Sequence, residues 1–370
     1  MTESVLVSSA LKESWLARSG GRLSHVVPAF AVWLMLIVLP GAVTGDDEAE
    51  VTIVPVMHDV AIQFNPDNPN ELAPEHAEVF ENGRVVRLKA AIPEYDQPTT
   101  IWARVSVYPV PKDDRLVCDA WDRAGHVRLV VNDEPPIEMV KFITAFGGQT
   151  DFEVDVTHLA PLLQDTCVFE AFIDTWVTPA WTIDVELVFE PVDTSDYYVP
   201  TEYAAWVKPV MFTQSYNAQD IGPTGIEVLC EVPSASDRVL LYYFTSGHCT
   251  DGRGAGEFVT KDNVILVDDV VVYRFRPWRD DCREFRAINP YSARWSDGWW
   301  SSDFRRSGWC PGDVVEPVVL DLTDHLTPGE HRIGFVVEDV RPVDSAGHFG
   351  YWRVSSFVVG MEETEAMQNR

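Results

Sequence analysis

The chain has 370 residues, of which 46% are hydrophobic and 11% aromatic, and its formal net charge is −30. This apolar content excludes an intrinsically disordered chain. The negative charge argues against a nucleic acid as partner, because two polyanions repel each other. The part that follows the leader is longer than one hydrophobic core usually serves, so two domains are expected.

The N-terminal segment, residues 1–45, has the order of a secretory signal. A polar stretch with three basic residues precedes an apolar run from Val26 to Leu39, and small residues follow before an acidic start at Asp46. This order predicts a signal peptide or an uncleaved signal anchor. We expect the protein to be secreted or periplasmic/extracellular. If residues 26–45 are retained, we expect them to anchor it in the membrane, and we expect no other contact with a membrane.

After the leader, the sequence predicts an all-β chain. Short segments are rich in β-branched and aromatic residues, partly alternate apolar with polar positions, and end at Pro, Gly, Asn or Asp. Antiparallel strands with one buried face have this pattern. No long segment has helical periodicity, and residues 156–163 are expected to form a single turn. The predicted strands include residues 51–56, 101–108, 127–131, 152–156, 168–173, 181–189, 226–232, 239–244, 263–267, 270–275, 318–322, 334–338 and 351–359.

A polar stretch, residues 192–200, separates two series of strands and predicts a domain boundary. We expect an all-β fold of two adjacent antiparallel jelly-roll sandwiches with about eight strands each. The expected divisions are residues 1–45 as leader and signal, 46–195 as the N-terminal jelly roll, 196–361 as the C-terminal jelly roll and 362–370 as an acidic tail.

Two segments depart from the strand pattern. The first places Asp119, Asp122 and Arg123 beside Trp121, and Asp174 and Trp176 occur together at the end of a later strand. Carboxylates move protons or bind sugar hydroxyls, and indole rings stack on sugars, so this pattern is typical of a sugar-recognising hydrolytic site. The alternative is a structural ion pair between Asp122 and Arg123, with Trp121 packed beneath it.

The second segment is the glycine-rich stretch 245–258, which carries His248 and Glu257. Its glycines allow the backbone to turn sharply and to approach a ligand closely. This stretch is therefore predicted to be a functional loop.

Taken in order over residues 100–360, these segments resemble the peptide-N-glycosidase F type of amidase. Residues 118–123, Cys-Asp-Ala-Trp-Asp-Arg, are similar to the family's Cys-Asp-Glu-Trp-Asp-Arg segment. Residues 306–312, Arg-Ser-Gly-Trp-Cys-Pro-Gly, match a second specific motif. The pieces 174–176 and 256–258 lie between these two motifs in the same order as in the family.

The resemblance implies two jelly rolls with an active site in the cleft between them. Family members cleave the bond between an asparagine side-chain amide and the first N-acetylglucosamine, leaving aspartate and a glycosylamine. The implied catalytic residues are Asp122, Glu257 and Asp174, of which Asp122 activates water or relays a proton while the other two hold the sugar and the water. The expected partners are N-glycosylated peptides or proteins, and no cofactor or metal is expected. The expected substrate-binding residues are Arg123, Trp121, Trp176, His248, Arg306 and Trp309.

Five positions depart from the family's pattern. Asp174 stands where the family has glutamate, Phe258 replaces a tryptophan, and Ala255 and Val259 replace a pair of cysteines. Asp113 stands where the family has a further cysteine, five residues before Cys118. The altered Asp174 and Phe258 favour, as the first alternative to an amidase, a non-catalytic glycan- or peptide-binding module on the same scaffold. A second alternative is a copper type II monooxygenase-like protein, which also has paired jelly rolls. Such a protein needs clustered histidines, whereas the histidines here are scattered and form no His-x-His pair.

Six cysteines in an exported chain can form disulfides. The resemblance pairs Cys282 with Cys310 around a tryptophan-rich loop, and loop closure makes such a bridge worth about 3 kcal/mol. A bridge between Cys118 and Cys249 is a further hypothesis, since it would tie the two suspected active-site loops together. The tryptophans of the loop are expected either to pack beneath it or to contact a glycan: Trp295, Trp299, Trp300 and Trp309.

Overall fold

The computed structural model describes residues 50–95, 98–113, 116–192, 201–221, 224–249 and 256–364. Three predicted divisions lie wholly or partly outside these ranges: the leader and signal 1–45, the domain boundary at 195/196, and the tail beyond residue 364. Within these ranges, no helix has the length and apolar character needed to cross a membrane.

Strands dominate the described part of the chain, and its helices are short 3-10 turns. The strands are β1 (Thr52–Ile62), β2 (Glu78–Phe80), β3 (Val85–Ala91), β4 (Thr99–Pro109), β5 (Pro111–Asp113), β6 (Leu116–Val117), β7 (Ala124–Val130), β8 (Ile137–Ile143), β9 (Thr150–Asp155), β10 (Thr166–Ile173), β11 (Trp181–Pro191), β12 (Glu202–Asn217), β13 (Ile226–Val232), β14 (Arg238–Cys249), β15 (Asn263–Val267), β16 (Val270–Phe275), β17 (Val318–Asp321), β18 (Gly329–Val337) and β19 (Gly350–Glu363). The 3-10 helices are Glu81–Gly83, Thr157–Leu162, Cys282–Ile288 and Ser301–Asp303. Every strand predicted above overlaps one of these strands, and the predicted turn at 156–163 is the second 3-10 helix.

The first half of the chain forms two antiparallel sheets around one apolar core. Their strand orders are β1-β11-β4-β9 and β2-β3-β10-β7-β8, and β5 pairs with β6 in a separate small ribbon. In β4, Ile101, Ala103, Val105 and Val107 alternate with less buried residues and are fully buried themselves. Because side chains of a strand point to opposite faces in turn, this alternation gives β4 one inward face. That face packs with inward residues of both sheets.

The second half forms two four-stranded sheets around its own core, with the orders β12-β19-β14-β17 and β13-β18-β15-β16. The long strand β19 pairs with β12 on one edge and with β14 on the other, from Arg238 opposite Met361 to Cys249 opposite Gly350. It continues to Glu363, past the predicted start of the tail at 362. The predicted fold of two antiparallel jelly-roll sandwiches is thus confirmed.

Strand β8 joins the two jelly rolls. All its residues are buried, because the second half of the chain covers the side that a sheet usually turns to water. The backbone N–H of Val315 donates to Lys141 O at 2.7 Å across this boundary. Phe244 and Phe357 of the second half join the apolar core of the first. The described residues of both jelly rolls belong to one compact unit, so loops from the two can line a common cleft.

Candidate active site

Antiparallel pairing within the first jelly roll places Asp122 and Asp174 side by side. Asp122 shortly precedes β7, and Asp174 directly follows β10. These strands pair as far as Gly125 opposite Ile173, and the backbone N–H of Asp174 then donates to Ala124 O at 2.9 Å. The start of β7 and the end of β10 therefore lie side by side at the same end of the sheet, although they are distant in sequence.

The second jelly roll contributes His248, Glu257 and Arg306 from three segments. The prediction that His248 belongs to a loop is wrong, because β14 continues through it and stays paired with β19. Gly247 N donates to Ser307 O, and Ser307 N donates to Glu257 O, both at 2.9 Å. Backbone hydrogen bonds thus tie these segments together. Residues 250–255 of the predicted loop lie outside the described residues.

Gly247 is required by this close approach. A Cβ atom there would meet Gly256 O at 2.6 Å and Ser307 Cβ at 2.8 Å. Any side chain would therefore push β14 away from the Glu257 segment. The sequence pattern suggested that this glycine allows a ligand to approach the backbone. In the structure it instead allows two backbone segments to pack against each other.

A buried arginine links carboxylates of the two jelly rolls. The Arg306 side chain is 1% exposed, its Nε donates to Glu257 Oε1 at 2.9 Å, and its Nη2 lies 3.6 Å from Asp122 Oδ2. Its Nη1 and Nη2 also donate to the backbone oxygens of Phe304 at 2.9 Å and Ser301 at 2.8 Å. Asp122 and Glu257 therefore face one cation whose position is fixed by several charge-assisted hydrogen bonds.

These groups line a cavity of about 490 Å³, within the range of about 300–1,000 Å³ that is usual for small-molecule sites. Its walls include all nine residues that the sequence predicted to act on or bind a substrate: Trp121, Asp122, Arg123, Asp174, Trp176, His248, Glu257, Arg306 and Trp309. They also include Phe146, Phe258, Trp295, Ser301 and Tyr351. The structure thus gathers the predicted residues at one place.

Arg123 pairs with Asp119 and not with Asp122. Its guanidinium donates to both carboxylate oxygens of Asp119, at 2.9 and 3.1 Å, and Thr175 Oγ1 donates to the same carboxylate at 2.6 Å. The alternative raised from the sequence, an ion pair between Asp122 and Arg123, is therefore not formed. Trp121 is not packed beneath an ion pair either, since it is 62% exposed. Asp119 is the structural carboxylate of this segment, and Asp122 faces the cavity.

The electrostatics of Asp122 suit proton transfer. Burial raises the pKa of Asp122 above its ordinary value, and the nearby Arg306 and Arg123 offset this only in part. The side chain keeps 14% of its surface exposed, so water in the cavity can reach it. A carboxyl group with a raised pKa is a better base than an ordinary surface aspartate.

Asp174 is held between two arginines, one from each jelly roll. Arg84 Nη1 donates to its Oδ1 at 2.9 Å, and Arg353 Nη2 donates to its Oδ2 at 2.5 Å. Arg84 also lies over the indole of Trp176, 4.6 Å from the ring centre. Both oxygens of Asp174 therefore have a cationic partner. These bonds fix the position of the carboxylate. They also leave its oxygens less free to bind a substrate than the resemblance implies.

His248 is an uncharged, packed histidine in the cavity wall. Its ring stacks with Trp309 and with Tyr351, at 5.4 Å between ring centres in each case. Its Nε2 shares a hydrogen bond with Ser246 Oγ at 2.9 Å. Burial lowers the pKa of His248 well below its ordinary value, and nearby cations, Arg353 first, lower it further. At neutral pH this imidazole can take part in hydrogen bonds but carries no charge.

The tryptophans of the site differ sharply in exposure. Trp309 is 3% exposed, whereas Trp121, Trp176, Trp299 and Trp300 are 62%, 55%, 52% and 41% exposed. Large apolar rings that face water beside a cavity are typical of binding surfaces, and indole rings offer a flat face to a sugar. Of the two roles expected for the loop tryptophans, Trp309 therefore has the packing role and Trp299 is available for contact, while Trp300 packs against the Arg286 guanidinium, 4.3 Å from its ring centre.

One of the two predicted disulfides is present, the bond between Cys282 and Cys310. Cys118 is a free cysteine, so the hypothesis of a bridge to Cys249 is wrong. The side chain of Cys249 itself lies outside the described residues. Among the described residues, the one group of three potential metal ligands consists of Asp281 and the two bonded cysteines. Their sulfur atoms are bonded to each other and so are not available as thiolate ligands.

Removing this bridge is expected to lower the free energy of unfolding by about 3–4 kcal/mol, because it closes a loop between residues that are 28 positions apart. The variant Cys282→Ala/Cys310→Ala should unfold at a lower urea concentration than the wild type in a titration followed by tryptophan fluorescence. Cys118→Ala is the control, since it removes a free and partly exposed thiol, and should change little. Equal midpoints for the double variant and the wild type would contradict the expectation.

The sequence pattern did not point to the residues that hold the predicted carboxylates in place. These residues are Arg84 and Arg353, which both bind Asp174. A signal existed for Arg353, which is the one charged residue of the predicted strand 351–359. A charge retained in a buried strand needs a partner on a facing element. Arg84 carried no such signal.

Fold and site together define a class of two-jelly-roll proteins with an acidic, tryptophan-lined cleft between the two sandwiches. Residues 127–189 match the family described as Peptide-N-glycosidase F, N terminal, and residues 215–359 match Peptide-N-glycosidase F, C terminal. The two matches cover more than half of the chain, and the chain belongs to the peptide-N-glycosidase F type family. Asp122 lies just before the first matched range.

Solved structures share this fold. The structure of PNGF-II is 25% identical, with 86% of this chain and 66% of that chain covered and a TM-score of 0.75. PNGase F from Flavobacterium meningosepticum, described as a glycosylasparaginase, is 19% identical, with 85% and 97% covered and a TM-score of 0.64. The chain thus spans about two thirds of the PNGF-II chain and nearly all of the PNGase F chain. A comparison with curated protein sequences gave no match.

Proposed function

We propose that the protein is an amidase that hydrolyses the bond between asparagine and the first N-acetylglucosamine of N-linked glycopeptides or glycoproteins. The observation that carries the proposal is the pair formed by Asp122 and Glu257, which come from different jelly rolls and meet at the buried Arg306. Exposed indoles surround this pair. Family membership supports the proposal, since one structure of this fold is described as a peptide-N(4)-(N-acetyl-beta-D-glucosaminyl)asparagine amidase.

In the proposed mechanism, Asp122 takes a proton from a water molecule as the water oxygen attacks the amide carbon of the glycosylated asparagine. The C–N bond then breaks, and Asp122 returns the proton to the leaving nitrogen. The peptide retains an aspartate, and the glycan leaves as a glycosylamine. The raised pKa of Asp122 makes it a better base, while Arg306 still favours its ionised form.

The remaining groups of the site act by position. Arg306 is buried, so its role is to orient Asp122 and Glu257, where the resemblance implies contact with the substrate. Glu257, held by this arginine, presents its carboxylate to the water and the sugar. Trp121 and Trp176 are exposed enough to stack on the sugar ring. Accurate placement of water and amide in such a cleft supplies much of the rate enhancement.

Heavy-oxygen water provides a sharp test of this function. A denatured N-glycoprotein incubated with the protein in such water should yield aspartate at the former glycosylation site, with the heavy oxygen in its carboxyl group. Cleavage of a glycosidic bond would instead leave an unlabelled asparagine side chain at that site. That outcome, or the absence of glycan release, would overturn the proposal.

The activity should decline on the acid side of its pH profile. Asp122 works in its ionised form, so kcat/KM is expected to fall about tenfold per pH unit once the pH drops below its raised pKa. The measurement is kcat/KM for a glycopeptide over a pH series, with fluorescence confirming that the protein stays folded at each point. A rate that rises as the pH falls would show that the protonated form of Asp122 is the active one.

A non-catalytic glycan-binding module is the second candidate. The observation in its favour is Asp174, whose two oxygens are both bound by arginines. Such a module would bind an N-glycopeptide without converting its asparagine to aspartate. Titration of the glycopeptide, combined with the heavy-oxygen assay on the same sample, separates the two candidates. Among the described residues, no group of three potential metal ligands contains a histidine, so copper chemistry gains no support.

We also propose that the protein is exported. The basic, apolar and small-residue order of residues 1–45 supports this. The disulfide between Cys282 and Cys310 is typical of proteins in oxidising compartments. N-terminal sequencing of the protein recovered outside the cytoplasm would give the cleavage site. Recovery of the full-length chain from the cytoplasm alone would contradict export.

A further inference from the structure

A second cavity adjoins the candidate active site. It has a volume of about 630 Å³, and its walls include Trp278 and Trp299. Phe258 lines both cavities, and consecutive residues divide between them, since Arg305 lines the second and Arg306 the first. The two cavities therefore lie on either side of one short chain segment. We refer to the second one as the Trp278–Trp299 pocket.

The wall between the two cavities is aromatic. Phe258 and Phe304 meet edge-on with their ring centres 5.9 Å apart. Trp295, which lines the first cavity, meets Phe304 edge-on at 5.3 Å. The guanidinium of Arg306 lies 5.1 Å from the ring centre of Phe258 on the active-site side. A long ligand bound beside Asp122 can thus continue over these rings into the Trp278–Trp299 pocket.

The chemistry of this pocket fits a carbohydrate. Trp299 is 52% exposed and offers a flat apolar face. Asp280, Arg283 and Arg305 are exposed, and within the described part of the chain none of the three has a side-chain hydrogen bond or an ion pair. An indole face stacks on a sugar ring, a carboxylate accepts from hydroxyls, and a guanidinium donates to them.

The same walls do not suit an extended peptide. Peptides commonly bind by adding a strand to an exposed sheet edge. None of the residues that line the Trp278–Trp299 pocket belongs to a strand. They come instead from loops and from the 3-10 helices Cys282–Ile288 and Ser301–Asp303.

We propose that the Trp278–Trp299 pocket binds the outer sugars of the N-glycan whose asparagine-linked end occupies the first cavity. The identity of this ligand rests on the proposed amidase function, whereas its carbohydrate nature follows from the walls of the pocket. Binding of these remote sugars helps to hold the scissile amide beside Asp122. The pocket thus makes the protein selective for extended glycans over the disaccharide core.

The test compares two substrates that share one peptide. One carries only the N-acetylglucosamine disaccharide, and the other carries the same disaccharide extended by the branched mannose core. The variant Trp299→Ala should lower kcat/KM for the extended substrate by about threefold to tenfold, as expected for one lost aromatic stack, and leave the short substrate unchanged. Trp300→Ala is the matched control. Trp300 is the next residue along the chain, is 41% exposed and contacts Arg286.

Trp299→Ala overturns the proposal if it lowers both rates equally or neither. If the loss depends on the length of the peptide at constant glycan, the pocket binds the peptide and the proposal is also wrong. A titration of the corresponding free oligosaccharides, followed by tryptophan fluorescence, tests the pocket without catalysis. Tighter binding of the extended oligosaccharide, lost in Trp299→Ala, supports the pocket even if neither substrate is turned over. In that case only the amidase function fails.

Discussion

Replacing Asp122 by asparagine is expected to reduce kcat for glycopeptide hydrolysis by about a hundredfold to ten-thousandfold, the usual contribution of a general acid–base group. Asparagine keeps the shape of the side chain but cannot take a proton from water. Arg306 keeps its hydrogen bonds to Glu257, Phe304 and Ser301 in this variant, so the frame of the cavity should persist. The measurement is a steady-state rate, with glycosylated and deglycosylated peptide separated at each time point.

Two control variants separate chemistry from folding. Asp67→Asn changes an exposed aspartate outside the cavity and should have no effect. Asp119→Asn removes the other carboxylate of the same segment, which binds Arg123 and Thr175. It should mainly lower stability and leave the shape of the pH profile unchanged. Full activity of Asp122→Asn would remove Asp122 from the mechanism.

The site is complete only where the two jelly rolls meet. Asp122 and Asp174 come from the first, whereas Glu257, Arg306 and Arg353 come from the second. Each carboxylate of the first jelly roll is therefore held by an arginine of the second. A shift of about 1 Å between them would misplace these groups and can cost about a hundredfold in rate. Activity thus depends on the interface as well as on the residues of the cleft.

The sequence pattern predicts buried strands that are rich in β-branched and aromatic residues, such as β19, as well as strands with one wet face. β4 is an example, since its apolar residues recur with a period of two. β8 has no such alternation, because both of its faces are buried and it nevertheless contains Glu138 and Lys141. β12 contains Pro209 and three irregularities in its pairing with β19, which break the phase of its pattern. Neither strand stands out in the sequence, because the pattern of β8 reflects its contact with the second jelly roll and that of β12 its irregular pairing with β19.

The candidate site shows the same limit. The residue types and the family resemblance identified nine of the residues that line the cavity, but not which charges pair. Arg123 pairs with Asp119, four residues before it, and not with the adjacent Asp122. The arginines that bind Asp174 lie 90 and 179 positions from it in the chain. Contacts between residues so far apart in the chain leave no spacing pattern in a single sequence.

Glu138 is a buried carboxylate at the interface between the two jelly rolls, and its contacts help to hold them in this arrangement. Glu138 of β8 is 2% exposed, lies 3.1 Å from His126 Nδ1 and 3.7 Å from Lys141 Nζ, and accepts a hydrogen bond from Ser355 of the second jelly roll. Lys141 Nζ also donates to Arg353 O at 3.0 Å. Burial by itself raises the pKa of Glu138, but Lys141, His126 and Ser355 together lower it to about 2. The carboxylate is thus ionised and fully bound, and it connects the interface to the arginine that holds Asp174.

Glu138→Gln is expected to destabilise the protein by about 3–5 kcal/mol, because it leaves Lys141 buried without an opposing charge. The measurement is urea unfolding at neutral pH, with Glu153→Gln, which breaks an exposed ion pair with Arg104, as a control that should show no measurable change.

The pH dependence distinguishes a lost charge from poor packing. Since the folded pKa of Glu138, about 2, is below its ordinary value of 4.5, the wild type loses this stabilisation as the pH falls from 4.5 towards 2. The variant lacks that carboxyl group, so its stability should fall less steeply over the same range, by up to about 1.4 kcal/mol per pH unit. Parallel pH profiles for Glu138→Gln and the wild type would show that the ionised carboxylate contributes nothing to the interface.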